Sequence, residues 1–310
     1  MKIPKGLKKG DTIGLVGASS ATPPEVLPKA VEAVEKLGFK VVVGDSCRER
    51  HGYLAGVDEL RAKDVNEMFK NPDIDGIFCI RGGYGATKIL PLLDYEMIKE
   101  NPKVFVGYSD VTALHIAFNQ RCELVTYHTP MPSTEFVKPE MDDYTWNSFL
   151  ENITETERAS FFLENPSNQR MTTLVPGEVT GPLIGGNLTL VTATLGTPYE
   201  IDTRGKLLFL EDIDEYERSI DRMLTQLKLA GKLDDAAGII LGAWTNCGPQ
   251  NPNHPEQSLR LQTIFEEILV PSNKPILMDV ACGHCLPTMS LPLGRTVRLI
   301  SEKKVMEVIG

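Results

Sequence analysis

Apolar positions in the first 130 residues follow two rhythms. Short apolar runs at 12–17, 40–43, 76–80 and 104–107 read as buried strands. Between them the spacing lengthens to that of helices. Val26, Ala30, Val31, Val34 and Leu37 recur on one face after Pro23-Pro24, and Gly38 stops the run. Residues 60–69 repeat the helical pattern up to Asn71-Pro72, and 111–118 do so after the fourth strand. Between the third strand and the next helical stretch lies a tight turn, Arg81-Gly-Gly-Tyr-Gly85.

Strands alternating with helices predict a mostly parallel sheet, with ligands held beyond the carboxyl ends of its strands. From Thr129 to about Val175 the rhythm loosens. Pro130, Pro132, Pro139 and Pro166 fall here among polar residues, so 131–176 reads as a linker with short helices. A second region starts at 177. Strands are expected near 207–210, 237–244 and 276–281, with a helix through Ile220, Met223, Leu224, Leu227 and Ala230. The expected organisation is an N-terminal Rossmann-like α/β domain over 1–130, the linker, and a C-terminal domain over 177–310.

Composition narrows the function classes. A net charge of −10 opposes phosphate backbones and anionic lipid, which argues against nucleic acid or a membrane as partner. No stretch approaches the roughly 20 apolar residues that span a bilayer. The lysines at 2, 5, 8 and 9 precede an apolar run too short and too glycine-rich for a secretory signal, so a cytoplasmic protein with reduced cysteines is expected. The opening βαβ pattern lacks G-x-G-x-x-G, having only Gly14 and Gly17 near that turn. Residues 81–88 are not a phosphate-binding P-loop either, so a nucleotide-dependent oxidoreductase is disfavoured. Cys282-Gly-His-Cys285 has ligand-like spacing but no second pair of its kind, so no metal is expected. A non-catalytic binding module of the same fold stays open.

The informative segment of the first half is Gly107-Tyr-Ser-Asp-Val-Thr112. Ser109 stands where a strand turns into a helix, the place for an exposed nucleophile with main-chain amides nearby. The same position suits a simple helix cap. A serine nucleophile needs a base and the base an orienting carboxylate. Of the five histidines, His284 follows a strand that ends in a glycine turn. His51 and His254 lie in polar loops, His115 lies inside a helix, and His128 follows a strand-like segment. For the carboxylate, Glu211 directly continues the apolar run 206–210, whereas Asp212, Asp214 and Glu215 fall beyond it.

These motifs together resemble the LD-carboxypeptidase family, which includes the microcin-C self-immunity peptidases. The resemblance runs through Gly10-Asp-Thr-Ile-Gly-Leu-Val-Gly-Ala-Ser-Ser20, Asp75-Gly-Ile-Phe-Cys-Ile-Arg-Gly-Gly-Tyr-Gly85 and the Ser109 segment. It continues with Gly185-Gly-Asn-Leu188, Leu195-Gly-Thr-Pro198, Leu208-Phe-Leu-Glu-Asp212, Ile220-Asp-Arg-Met-Leu224 and Gly283-His284. Each motif is weakly specific, whereas their joint order and spacing are strong.

The resemblance implies Ser109 as nucleophile, Glu211 as orienting carboxylate and His284 as base and then acid. It implies a Rossmann-like domain joined to a smaller domain on a β-barrel-like sheet, in a homodimer. The implied reaction releases terminal D-alanine from muropeptide tetrapeptides, after diaminopimelate or lysine, without metal or organic cofactor. A self-immunity peptidase would instead cleave an amide in a peptide–nucleotide conjugate; an aromatic between the serine and the glutamate, such as Trp146, would serve it. The Asp110 and Gly83 amides are the expected oxyanion donors. Arg81 is a candidate for the substrate carboxylate, or for an ion pair with a structural aspartate. Tyr84 and Asn187 are weaker candidates for the substrate-binding wall.

Overall fold

The structure, a computed structural model, describes residues 1–139 and 141–310. It divides into two compact units. The first holds residues 1–158 and 290–294, the second residues 159–289 and 295–310.

The first unit begins β1 (Thr12–Val16), α1 (Leu27–Lys36), β2 (Lys40–Val43), α2 (Asp58–Lys70) and β3 (Gly76–Cys79). It continues α3 (Ala86–Ile89), α4 (Tyr95–Glu100), β4 (Val104–Gly107), α5 (Thr112–Arg121), β5 (Thr126–His128) and α6 (Asp143–Thr154). The second unit contains β6 (Ser160–Phe162), β7 (Thr172–Val175), β8 (Glu178–Asn187), α7 (Leu188–Ala193), β9 (Leu207–Ile213) and α8 (Glu217–Leu229). There follow α9 (Lys232–Asp235), β10 (Gly238–Thr245), α10 (Leu261–Ile268) and β11 (Ile276–Met278). The chain then gives β12 (Leu291–Leu293) to the first unit and returns through β13 (Thr296–Ile300) and β14 (Val305–Ile309).

The first sheet has the order β12-β5-β4-β3-β1-β2. Its strands pair in parallel except β12, which runs antiparallel to β5. β3 and β4 are buried along their whole length, as strands covered on both faces must be, whereas the edge strand β2 alternates exposed and half-buried positions. From β1 the chain steps outward to β2, then crosses to β3 on the other side. The loops after β1, β3 and β4 therefore gather around the switch point where α/β sheets hold ligands. Ser20, the Arg81–Gly85 turn and Ser109 lie in these loops. Helix α5 is buried along 112–119, which holds the elbow before it against the core.

Residues 131–176 do not form a separate segment. Phe136, Phe149 and Ile153 pack into the first core with Phe78, Val106 and Tyr127, and Asp142 caps α6 by accepting the Thr145 N–H at 2.8 Å. Residues 160–162 and 172–175 are strands of the second sheet. Proline and acidic residues disguise the apolar stripe of α6 in the sequence, and the two strands are defined by partners more than 100 residues away.

The second sheet has eight strands, in the order β6-β14-β13-β8-β9-β10-β11-β7. Its centre, β8 to β11, is parallel, with antiparallel strands on both flanks. The barrel-like sheet that the resemblance implied is seen as this mixed ladder with β6 and β7 at its ends. Among the described residues no helix is long and apolar enough to cross a membrane.

Candidate active site

Ser109 has φ of +65°, a left-handed conformation that strains any residue with a Cβ. A helix cap uses extended backbone, and the cap positions of the short turn and of α5 fall on Tyr108 and Val111, not on Ser109. The serine therefore sits on a sharp, strained strand-to-helix turn of the nucleophile-elbow kind. The elbow is fastened on each side. His115 Nε2 donates to the Gly107 carbonyl at 2.9 Å, and the Tyr108 hydroxyl donates to buried Glu135 at 2.9 Å. Glu135 also accepts the Met131 N–H and the Thr134 hydroxyl.

Burial pushes the His115 ring down to about 4, against the opposing pull of the Gly107 carbonyl, so it is neutral near pH 7. His128 is buried beside Tyr108, with ring centroids 5.6 Å apart. His51 and His254 are exposed.

The glycine turn abuts the serine. A Cβ on Gly82 would lie 2.9 Å from Ser109 Cβ and 3.1 Å from its Oγ, so only glycine fits. Gly83 lies next along that turn, over the Ser20 hydroxyl, which accepts the Tyr84 N–H at 3.0 Å. Arg81 Nε and Nη1 each reach a carbonyl at 3.3 Å, those of Gly82 and Ala21. Among the described residues Arg81 makes no ion pair, so it is not tied to a structural aspartate. Tyr84 is 51% exposed and meets Tyr53 edge to face. Trp146 packs on Phe136, ring centroids 4.9 Å apart.

In the second unit Glu211 lies on β9, fully buried between β8 and β10. Its Oε2 accepts His284 Nδ1–H at 2.7 Å and the His284 main-chain N–H at 3.3 Å. A carboxylate can only accept, so Nδ1 carries a proton, and in the neutral ring this leaves the lone pair on Nε2. The loop bearing His284 is clamped to β10. Ala243 N–H donates to the Cys282 carbonyl at 2.9 Å, and the Thr245 hydroxyl donates to the His284 carbonyl at 2.6 Å. Gly283 permits the close approach, since a Cβ there would fall 2.6 Å from Glu211 Oε2. Cys282 and Cys285 lie in the same loop without a disulfide, and burial pushes the Cys282 thiol well up.

Asp212, the next acid along β9, has a different task. It accepts from Asn187 Nδ2 at 2.8 Å and from the N–H and hydroxyl of Thr189 at 3.0 and 2.9 Å. Burial pushes its carboxyl up, assisted by the neighbouring charge of Glu211. Asn187 is itself buried, and its Oδ1 caps α7 by accepting the Leu190 N–H. No sequence signal marks Ser20 or Glu135 as supports of the serine turn, or Thr245 as a support of the histidine loop, because each acts on a segment distant in the chain.

The first unit thus carries a strained serine on an elbow, and the second a histidine bonded to a buried carboxylate. Two family models match the chain: the LD-carboxypeptidase N-terminal domain over residues 13–129 and its C-terminal domain over 180–299. The chain belongs to the LD-carboxypeptidase family. A probable murein peptide carboxypeptidase of Bacillus subtilis is 42% identical over 301 residues, covering 97% of this chain and 92% of that one. A solved structure of the microcin C7 self-immunity protein MccF, without ligand, has a TM-score of 0.90 at 28% identity and covers 100% of this chain and 99% of its own. A muramoyltetrapeptide carboxypeptidase from Oxalobacter formigenes has a TM-score of 0.82 at 26% identity, covering 96% and 97%.

Proposed function

We propose that this chain is a serine carboxypeptidase that hydrolyses the amide between an L-centre and the terminal D-alanine of a muropeptide tetrapeptide, with Ser109, Glu211 and His284 as its triad. The observation that carries the reading is the pairing of chemistries: a serine held at φ +65° and a histidine whose Nδ1–H is bonded to buried Glu211. The names borne by the Bacillus subtilis and Oxalobacter formigenes relatives favour the muropeptide.

The steps follow from the groups. His284 Nε2 accepts the Ser109 proton as Oγ attacks the carbonyl. The Asp110 and Gly83 amides donate to the oxyanion. His284 then protonates the leaving amine of D-alanine, and water resolves the acyl-enzyme by the same route. Arg81, whose guanidinium reaches the Gly82 and Ala21 carbonyls at 3.3 Å, binds the terminal carboxylate. Tyr84 lines that end of the site. Asn187 acts as the cap of α7 and keeps β9 in register with β8. No step requires a metal or organic cofactor. The protein works in the cytoplasm as a homodimer on small peptides recycled from the wall, with no nucleic acid or membrane as partner.

The second reading is cleavage of a peptide–nucleotide amide, favoured by the likeness to MccF. Incubating the purified chain separately with an L-Ala-γ-D-Glu-L-diaminopimelate-D-Ala tetrapeptide and with an aminoacyl–nucleotide amide decides between them. Free D-alanine with an intact conjugate supports the muropeptide. The reverse result transfers the assignment to the conjugate.

A further inference from the structure

The residue after the serine has a carboxylate with its own task. Asp110 is 1% exposed, and its Oδ2 accepts the Ala86 N–H at 2.8 Å, at the point where the glycine turn passes into α3. The Gly85 amide also bonds it. On the other side of the turn the buried guanidinium of Arg61 donates through Nη1 to the Gly85 carbonyl at 2.9 Å and to the Ala18 carbonyl. Arg61 Nη2 pairs with Asp58. Ser20 accepts the Tyr84 N–H, so the turn is held at Tyr84, Gly85 and Ala86 by three different side chains.

Only one of the three belongs to the elbow. Ser20 follows β1 and Arg61 belongs to α2, whereas Asp110 is joined to Ser109 by a peptide bond. A shift of the glycine turn relative to the serine must therefore break a buried hydrogen bond to a carboxylate. Such bonds are about twice as strong as neutral ones. Burial pushes the Asp110 carboxyl up, while the Ser19 hydroxyl, the Ala86 and Gly85 amides and Arg61 act in the opposite direction. A buried carboxylate is a costly choice where a neutral side chain would cap a turn, and it is kept where its hydrogen bonds fix a geometry.

We propose that the Asp110 carboxylate is a positioning residue, which sets the distance between Ser109 Oγ and the main-chain amides of the Gly82–Gly83 turn. This rests on the reading of Ser109 as nucleophile and Gly83 as oxyanion donor. Its consequence is specific. The contact it protects is made only as charge develops on the oxyanion, so its loss lowers kcat and leaves KM nearly unchanged.

The test measures kcat and KM for D-alanine release by the wild type and by Ser109→Ala, Asp110→Ala, Asp110→Asn and Ser20→Ala. Asp110→Ala is expected to lower kcat about 100-fold, the loss typical of one oxyanion donor, with KM within about threefold. Asp110→Asn keeps one acceptor oxygen for the Ala86 N–H and recovers part of that loss. Ser20→Ala, which frees the turn without touching the elbow, also lowers kcat. If Asp110→Ala does not fold, Asp110→Asn and Ser20→Ala carry the test, and both must lower kcat with KM unchanged. A full kcat in Asp110→Ala, a loss confined to KM, or full kcat in either Asp110→Asn or Ser20→Ala overturns the proposal. No release by the wild type, or equal release by Ser109→Ala, would instead strike at the reaction or the nucleophile.

Discussion

Glu211 Oε2 holds His284 twice, through the ring Nδ1–H at 2.7 Å and the main-chain N–H at 3.3 Å. One fully buried oxygen thus sets both the orientation of the ring and the path of the chain that carries it. The substitution that separates these effects is Glu211→Gln. The amide keeps an oxygen for one donor, but its NH2 can face the ring and favour the wrong tautomer. Activity is expected to fall about 10³- to 10⁴-fold, as when a triad carboxylate becomes an amide. Steady-state kinetics beside a far-UV circular dichroism spectrum checks this; an unchanged spectrum with near-wild-type kcat would count against an orienting role.

Gly283→Ala tests the closeness of that packing. Its Cβ would fall 2.6 Å from Glu211 Oε2 and 2.9 Å from Glu211 Cβ, at a backbone φ of +116°. The expected loss is about 1–3 kcal/mol of stability, as for other overpacked sites, together with most activity. Urea unfolding midpoints give the first, turnover the second.

Strain at Ser109 predicts a separation of stability from activity. A non-glycine residue in the left-handed region costs about 1–2 kcal/mol. Ser109→Gly should therefore be more stable than Ser109→Ala by about 1 kcal/mol, with both inactive. Equal stability in thermal unfolding would mean that the elbow is relaxed.

His115 makes stability depend on pH. Its folded-state value is about 4 against an ordinary 6.5, because burial disfavours the charged ring. The folded state thus binds its proton later than the unfolded chain. The contribution is fully present above about pH 6.5 and is lost as pH falls toward 4, amounting to about 3 kcal/mol. Unfolding midpoints at pH 7 and pH 5 should differ more in the wild type than in His115→Gln. Equal differences would show that other groups govern this window.

Much of the candidate site was legible because its residues end apolar runs. Residues 104–107 and 206–210 point directly at Ser109 and Glu211, and a strand followed by glycine points at His284. The φ of Ser109 was not legible, since positive values usually announce glycine. The elbow's supports were hidden for a different reason. His115 is read as a core helix residue, and Glu135 falls in a proline-rich stretch that spacing marks as a linker. Leu291–Leu293, with a central proline, has no local signature as an edge strand of the first sheet. Its place follows from pairing with β5, more than 160 residues earlier.

The most direct measurement is release of free D-alanine from the diaminopimelate tetrapeptide by the wild type and by Ser109→Ala, with fluorophosphonate labelling of both followed by peptide mass mapping. Release and a label on Ser109 in the wild type, and neither in the variant, is the expected result. Equal release by both proteins would contradict it and leave Ser109 as a strained turn residue without a role in the chemistry.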